Sequence, residues 1–190
     1  MSWPPKNIGE LHDFDSVVRK RLREQGNISW DSIQPAVSIP RKKGFRTRYL
    51  HQIPDGSNSL LSFAKKELKP HLTKFSNAFT PVYEAVKNAY EHGNAHEKDA
   101  KILLSTRKDG SGLEVLVGDE GRQGIHPEFW TFVNKVYDHS DTVTNWYDYS
   151  KEQRPPEHAG LGTLNIHRGT RDFTYHKSEE LGGLLVRMLF

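Results

Sequence analysis

The chain has 190 residues, a hydrophobic share of 35% and a formal net charge of +3 at pH 7. This length suits one domain with an extension, and so modest a charge gives no strong case for nucleic acid or membrane binding. No apolar run is long enough to span a bilayer, and residues 1–10 lack the apolar centre of a signal peptide. The absence of cysteine excludes disulfides and thiolate metal sites and is compatible with a cytoplasmic protein, which is the location we expect.

Residues 1–44 are predicted to be an extension that precedes a domain spanning residues 45–190. Residues 8–25 have the apolar spacing of a short helix, and a proline-bearing linker follows them. The basic clusters at residues 19–23 and 41–48 leave a nucleic-acid contact open as an alternative. The small charge excess and the lack of interleaved aromatic residues favour solvated charges instead.

The domain is predicted to begin with a strand and a helix. Residues 45–53 alternate in polarity and are rich in β-forming residues, which indicates a strand. A turn at residues 55–58 leads into a helix that Pro70 is expected to end. The positions of this helix that are predicted to face inward are Leu60, Leu61, Ala64 and Leu68.

A second helix is predicted over residues 80–94. Thr80 is the expected N-cap, and Pro81 suits the first helical position. Gly93 followed by Asn94 predicts a left-handed stop.

This second helix carries two kinds of stripe. Apolar residues recur at helical spacing, so one face is expected to be buried. Glu84 and Asn88 are four residues apart and therefore share a polar stripe beside that face. Taken alone, the pattern also fits an ordinary amphipathic helix whose polar stripe faces water.

The rest of the chain is predicted to be a hairpin, a long connection, a short helix and a closing pair of strands. The strands of the hairpin and of the closing pair are residues 101–107, 113–117, 171–176 and 184–190. The segment of residues 125–160 is long for a connection and is expected to form a lid or binding loop. Residues 164–168 are predicted to form a short helix. The order of elements predicts an α+β fold, a two-layer α/β sandwich with helices on one face of a mostly antiparallel sheet.

Three motifs occur in order along the domain. They are Glu-x-x-x-Asn with a following His-Gly at residues 84–93, Asp-x-Gly at residues 119–121 and Gly-x-Gly at residues 160–162. Each motif is weak alone, but the ordered set resembles the GHKL (Bergerat-fold) ATP-binding domains. That family includes gyrase-type ATPases, sensor histidine kinases and anti-sigma-factor serine kinases.

The resemblance implies a role for each polar residue of the first two motifs. Glu84 is expected to be the general base, Asn88 a ligand of Mg²⁺, and Asp119 the acceptor of a hydrogen bond from the adenine amino group. Gly121 and Gly124 are expected to let the backbone approach the base. The alternatives are a solvent-facing asparagine at position 88 and an aspartate at position 119 that merely caps a turn.

The resemblance also assigns the phosphates to the last motif. Gly160, Gly162 and Thr163 are expected to hold them through backbone N–H groups at a helix start. Two departures from the family pattern occur. Asp-x-Gly-x-Gly is replaced by Asp-Glu-Gly-Arg-Gln-Gly at residues 119–124, and Thr163 stands where the family often has leucine.

The branch that the resemblance favours is the anti-sigma-factor serine/threonine kinases. Sensor histidine kinases commonly carry asparagine at the place of Glu84, and we expect neither a transducer domain after the closing strands nor a dimerisation hairpin before the domain. The expected activity is transfer of the ATP γ-phosphoryl group, with Mg²⁺, to a serine or threonine of a partner protein. The partner would be a phosphorylatable antagonist or a sigma factor, and a homodimer is left open. The alternative is a non-catalytic nucleotide-binding module. It is favoured by the altered glycine loops and by the apolar Leu184 and Leu185, which stand where the family often has a threonine near the adenine site.

Overall fold

The computed structural model describes residues 44–53, 56–122, 124, 161–178 and 180–190. Most of the predicted N-terminal extension, all of the predicted lid at residues 125–160 and the predicted phosphate contact Gly160 therefore lie outside the described residues.

The described strands form one antiparallel sheet of five strands in the order β1-β2-β3-β5-β4. They are β1 (Arg46–Leu50), β2 (Ile102–Asp109), β3 (Gly112–Gly118), β4 (Asp172–Lys177) and β5 (Leu184–Leu189). Asp109 pairs with Gly112, so β2 and β3 form a hairpin with a two-residue loop, in which Gly110 has a φ of 55°. The predicted antiparallel sheet and the predicted hairpin are confirmed.

The described helices pack on the sheet and give the α+β class that the sequence predicts. They are α1 (Gly56–Leu68), α2 (Phe79–Asn88) and α3 (Leu161–Gly169). A 3₁₀ turn (Ser76–Ala78) precedes α2, and a π-helical turn (Ala89–Gly93) follows it. None of the helices in the described ranges is long and apolar enough to cross a membrane.

The main core lies between these helices and one face of the sheet. Side chains alternate across a strand, so one row of opposed residues crosses four strands on this face. The row is Leu104, Val117, Val186 and Tyr175, and all four are buried. Val82 and Val86 of α2 and Ile166 of α3 belong to the same cluster, which fixes both helices against the sheet.

The opposite face of the sheet carries a smaller cluster and a charged network. Leu103, Leu116 and Leu185 form the buried apolar part of this face. Glu114, only 3% exposed, accepts hydrogen bonds from Arg107 and from Arg187, whose Nε lies 2.7 Å from Oε1. Burial disfavours the charge of Glu114, but the two arginines outweigh it and lower the pKa of this carboxyl below its usual value.

Two details of the helices differ from the sequence prediction. Thr80 is not an N-cap, because α2 begins at Phe79 as a continuation of the 3₁₀ turn, and its N-cap Ala78 makes no side-chain hydrogen bond. Leu61 is 39% exposed, whereas Phe63 is buried. The inward stripe of α1 runs along positions 60, 63, 64 and 68, and position 61 lies at the edge of this stripe, about 20° beyond position 68 around the helix.

Candidate functional site

The end of α2 has an unusual backbone. The helix passes into the π turn, in which the N–H of Asn94 donates to the C=O of Ala89, five residues earlier, at 2.8 Å. A π turn holds one extra residue, so Gly93 comes into line with the stripe of Glu84 and Asn88. Such turns are frequent at functional sites.

The predicted left-handed stop at Gly93 and Asn94 was wrong. Asn94 has a φ of −102°, and the left-handed conformation falls instead on Ala95 (φ 56°) and His96 (φ 60°). The extra residue of the π turn displaces the stop towards the C-terminus. Gly93 is therefore needed for space and not for its backbone angle.

Asp119 follows directly after β3 and is only 3% exposed. Its Oδ1 accepts hydrogen bonds from the N–H of Gly121 at 2.9 Å and the N–H of Leu184 at 3.0 Å. Both donors that reach this carboxylate from the described residues go to the same oxygen, which leaves Oδ2 as a free acceptor. Burial raises the pKa of Asp119 to about 7, because desolvation outweighs the two backbone hydrogen bonds.

Two glycines make room for this carboxylate. A methyl group added at Gly93 would overlap the Asp119 carboxylate, and one added at Gly183 would overlap Oδ1 of Asp119 and the amide nitrogen of Gly121. The N–H of Gly183 also donates to the C=O of Asp119 at 3.2 Å. The end of the π turn and the start of β5 therefore both lie against Asp119, an arrangement that no pattern in the linear sequence indicates.

Gly121 and Gly124 form the loop that follows Asp119. Both have positive φ angles, 62° and 71°, and the N–H of Gly124 donates to the C=O of Gly121 at 2.9 Å. This hydrogen bond closes a tight turn between the two glycines. Only Gly121 among them contacts Asp119 directly.

Asn94 holds this loop in place, although the sequence predicted it only as part of the helix stop. Its side chain is fully buried, its Oδ1 accepts from the N–H of Glu120 at 2.9 Å, and its Nδ2 donates to the C=O of Lys101 at 3.0 Å. It therefore ties together the helix end, the start of β2 and the Asp119 loop. An asparagine directly after a helical glycine is the usual sign of a cap, so the sequence offered no signal for this role.

A second group of residues lies where α3 packs on α2. A methyl group added at Gly162 would lie 3.2 Å from Oδ1 of Asn88 and 3.2 Å from Oε2 of Glu84. The structure therefore brings Gly162 of the last motif onto the Glu84–Asn88 stripe. Amide and carboxylate oxygens are the hard ligands that Mg²⁺ prefers, so the donor set fits that ion.

Glu84 also has a partner that the sequence reading missed. Nδ2 of Asn165, on α3, donates to Oε1 of Glu84 at 3.2 Å. Thr163 is buried in the first turn of α3, which begins at Leu161. The proximity of α3 to the stripe could not be read from the sequence because it depends on how the two helices pack.

The two groups lie at opposite ends of one line along α2. At 1.5 Å per residue, Glu84 and Gly93 are separated by about 13 Å along the helix, with Asn88 between them. Asp119 lies against the Gly93 end and Gly162 against the Glu84 end.

These features define an α+β domain with a candidate ligand site that runs along one helix, from a buried aspartate to a carboxylate–amide pair. The sequence matches no protein-family model, and no curated protein matches it either.

Proposed function

We propose that this chain is an ATP- and Mg²⁺-binding domain that transfers the γ-phosphoryl group to a serine or threonine of a partner protein. The observation that carries the proposal is the Asp119 carboxylate, which is buried, held through Oδ1 by two backbone N–H groups and without a donor to Oδ2 among the described residues. Burying such a group without a partner is costly, which points to a ligand that donates a hydrogen bond there.

The adenine amino group is that donor in our proposal. Because Oδ1 is fully engaged, Oδ2 is the oxygen that faces the ligand, and it accepts a hydrogen bond from the exocyclic N–H. Guanine carries a carbonyl oxygen at the corresponding position, which would face the carboxylate without a hydrogen between them. The site therefore favours adenine over guanine.

The phosphates would lie at the Glu84 end of the line. Asn88 would hold the Mg²⁺ ion, which neutralises charge that develops on the transferred group when it is bound. Gly162 lies directly against Asn88 and Glu84, where an added methyl group would already be 3.2 Å from both side chains, so the start of α3 would border the phosphates.

Glu84 would act as the general base of the transfer. The oxygen of the serine or threonine forms a bond to the γ-phosphorus, the bond from that phosphorus to the β–γ bridging oxygen breaks, and ADP leaves with the electron pair. The hydroxyl proton passes to the free Oε2 of Glu84. The proposal also includes a partner protein, which is a phosphorylatable antagonist or a sigma factor. It further places the protein in the cytoplasm.

A thermal shift experiment tests the binding part of the proposal. A ligand at one hundred times its Kd stabilises the folded state by about 2.7 kcal/mol, so saturating magnesium-ATP is expected to raise Tm by several degrees. Magnesium-GTP at the same concentration is the matched control and is expected to raise Tm much less. Equal shifts with both nucleotides, or no shift with ATP, would contradict the adenine assignment.

A non-catalytic nucleotide-binding module is the second candidate function. It is favoured by the altered glycine loop, in which Gly121 and Gly124 are closed into a turn, and by the burial of Thr163 inside α3. Transfer of radioactive phosphate from γ-labelled ATP, to water or to a candidate partner, separates the two. A protein that binds magnesium-ATP and never turns it over is a binding module.

A further inference from the structure

Asn165 is a polar residue of α3 with no role in the motifs, and its side chain contacts Glu84. Its Nδ2 donates to Oε1 of Glu84 at 3.2 Å, while Oε2 of Glu84 lies towards Gly162. The two oxygens of the carboxylate therefore have different surroundings: Oε1 is held by Asn165, and Oε2 has no described donor and lies beside Gly162 and Asn88.

We propose that Asn165 is the positioning residue that aims Glu84, an inference that rests on the proposed function. A glutamate side chain has three rotatable bonds, and a half-buried one samples several rotamers unless a partner holds it. The hydrogen bond to Oε1 selects the rotamer in which Oε2 points at the nucleophile. Small errors in the position of a base lower the rate strongly, so this selection matters for turnover.

An amide suits this task better than a charged donor. A lysine or arginine would form an ion pair with Glu84 and stabilise its charge against taking up a proton. The amide of Asn165 donates one hydrogen bond and carries no charge. It therefore orients the carboxylate and leaves it able to accept the proton of the hydroxyl.

The position of Asn165 is in turn set by how α3 is seated. Ile166, the next residue, is 1% exposed in the core that α2 and α3 share with the sheet. The hydrogen bond from Nδ2 of Asn77 to the C=O of Gly169, at 3.3 Å and at the other end of α3, is exposed to solvent and contributes little to this seat. Glu84 is thus aimed by a helix that is fixed independently of it.

The test compares magnesium-ATP binding and turnover in Asn165→Ala, in the isosteric Asn165→Asp and in wild type. Both variants lose the donor, so kcat is expected to fall roughly tenfold to a hundredfold. In Asn165→Ala, KM and the calorimetric Kd change less than about threefold, whereas the added negative charge of Asn165→Asp also weakens binding. Asn165→Gln keeps an amide and is expected to recover part of kcat. Asn77→Ala removes the other asparagine contact to α3 and is expected to keep the wild-type kcat.

A double-mutant cycle with Glu84→Ala distinguishes a positioning role from a separate one. If Asn165 acts through Glu84, then adding Asn165→Ala to Glu84→Ala costs no further rate. If the rate losses of the two single variants multiply in the double variant, the inference is overturned and the proposed function stands. The same holds if both Asn165 variants keep the wild-type kcat and melting temperature. A wild type that binds magnesium-ATP without turnover overturns it as well, and a wild type that binds no ATP overturns the proposed function itself.

Discussion

Replacement of Asp119 by asparagine tests the adenine anchor, because the surrounding donors fix how the new side chain must lie. The N–H groups of Gly121 and Leu184 both point at Oδ1, so the amide oxygen of the substituted side chain has to take that place. The NH₂ group then takes the place of Oδ2 and faces the adenine amino group, donor against donor. We expect Asp119→Asn to weaken ATP binding at least roughly tenfold, the scale of one hydrogen bond to a charged group.

The raised pKa of Asp119 gives the same variant a second signature in stability. The pKa is about 7 in the folded protein, against 3.8 for an unperturbed aspartate. Between these values the unfolded chain loses the proton and the folded protein keeps it, so the free energy of unfolding falls as the pH rises. The fall ends near pH 7 and amounts to at most roughly 4 kcal/mol, at about 1.36 kcal/mol for each pH unit.

Nucleotide binding is expected to show the opposite trend with pH. A protonated Oδ2 would present a hydrogen to the adenine amino group, so only the ionised form of Asp119 accepts from it. Affinity should therefore drop about tenfold per pH unit below pH 7, and binding at pH 6 should release a proton. Calorimetry in two buffers of different ionisation enthalpy measures that proton directly.

Two variants complete the assay. Asp119→Asn retains any titration of the nucleotide phosphates, so the difference between its pH profile and that of wild type belongs to Asp119. Asp172→Asn removes an exposed carboxylate on β4 and is expected to behave as wild type in both stability and binding. Parallel pH profiles for wild type and Asp119→Asn, or undiminished ATP affinity in the variant, would refute the reasoning.

Four further variants have expected outcomes. Glu84→Ala should leave the calorimetric Kd for magnesium-ATP nearly intact and slow phosphate release by roughly a hundredfold or more. Asn88→Ala should weaken ATP binding in magnesium and change it much less in EDTA, as measured by calorimetry. Gly93→Ala places a methyl group on the Asp119 carboxylate, so both the melting temperature and ATP affinity should fall, and unchanged values would disprove the close approach. Glu114→Gln leaves Arg107 and Arg187 without their shared carboxylate and should cost about 3 kcal/mol in urea unfolding while ATP affinity stays unchanged.

The strands were predictable because their signals are local. Residues 101–107 and 113–117 alternate and are separated by a glycine-bearing turn, and the structure extends each strand by only a residue or two. The closing pair at the end of the chain was equally visible. The antiparallel order followed from short connections between the strands of each pair.

The missed features depend on contacts between distant parts of the chain. The π turn has no local signature, and it moved the left-handed residues from Gly93 and Asn94 to positions 95 and 96. Asn94 and Asn165 were equally invisible, since each acts by reaching a residue on another element. Sequence spacing indicated Glu84 and Asn88, but it could not indicate what holds them.

The charge of the site explains why magnesium dependence is the sharpest test of the whole proposal. Glu84 and Asp119 are both carboxylates, and in the described part of the chain their hydrogen-bond partners are amides and backbone N–H groups, with neither in an ion pair. Such neutral partners hold a carboxylate in place without cancelling its charge. The phosphates, which the proposal places at the Glu84 end, are therefore repelled by that carboxylate unless a cation accompanies them. Because Asn88 is the hard ligand that lies against Gly162 and beside Glu84, its removal should abolish the benefit of magnesium and leave only the weak metal-free binding.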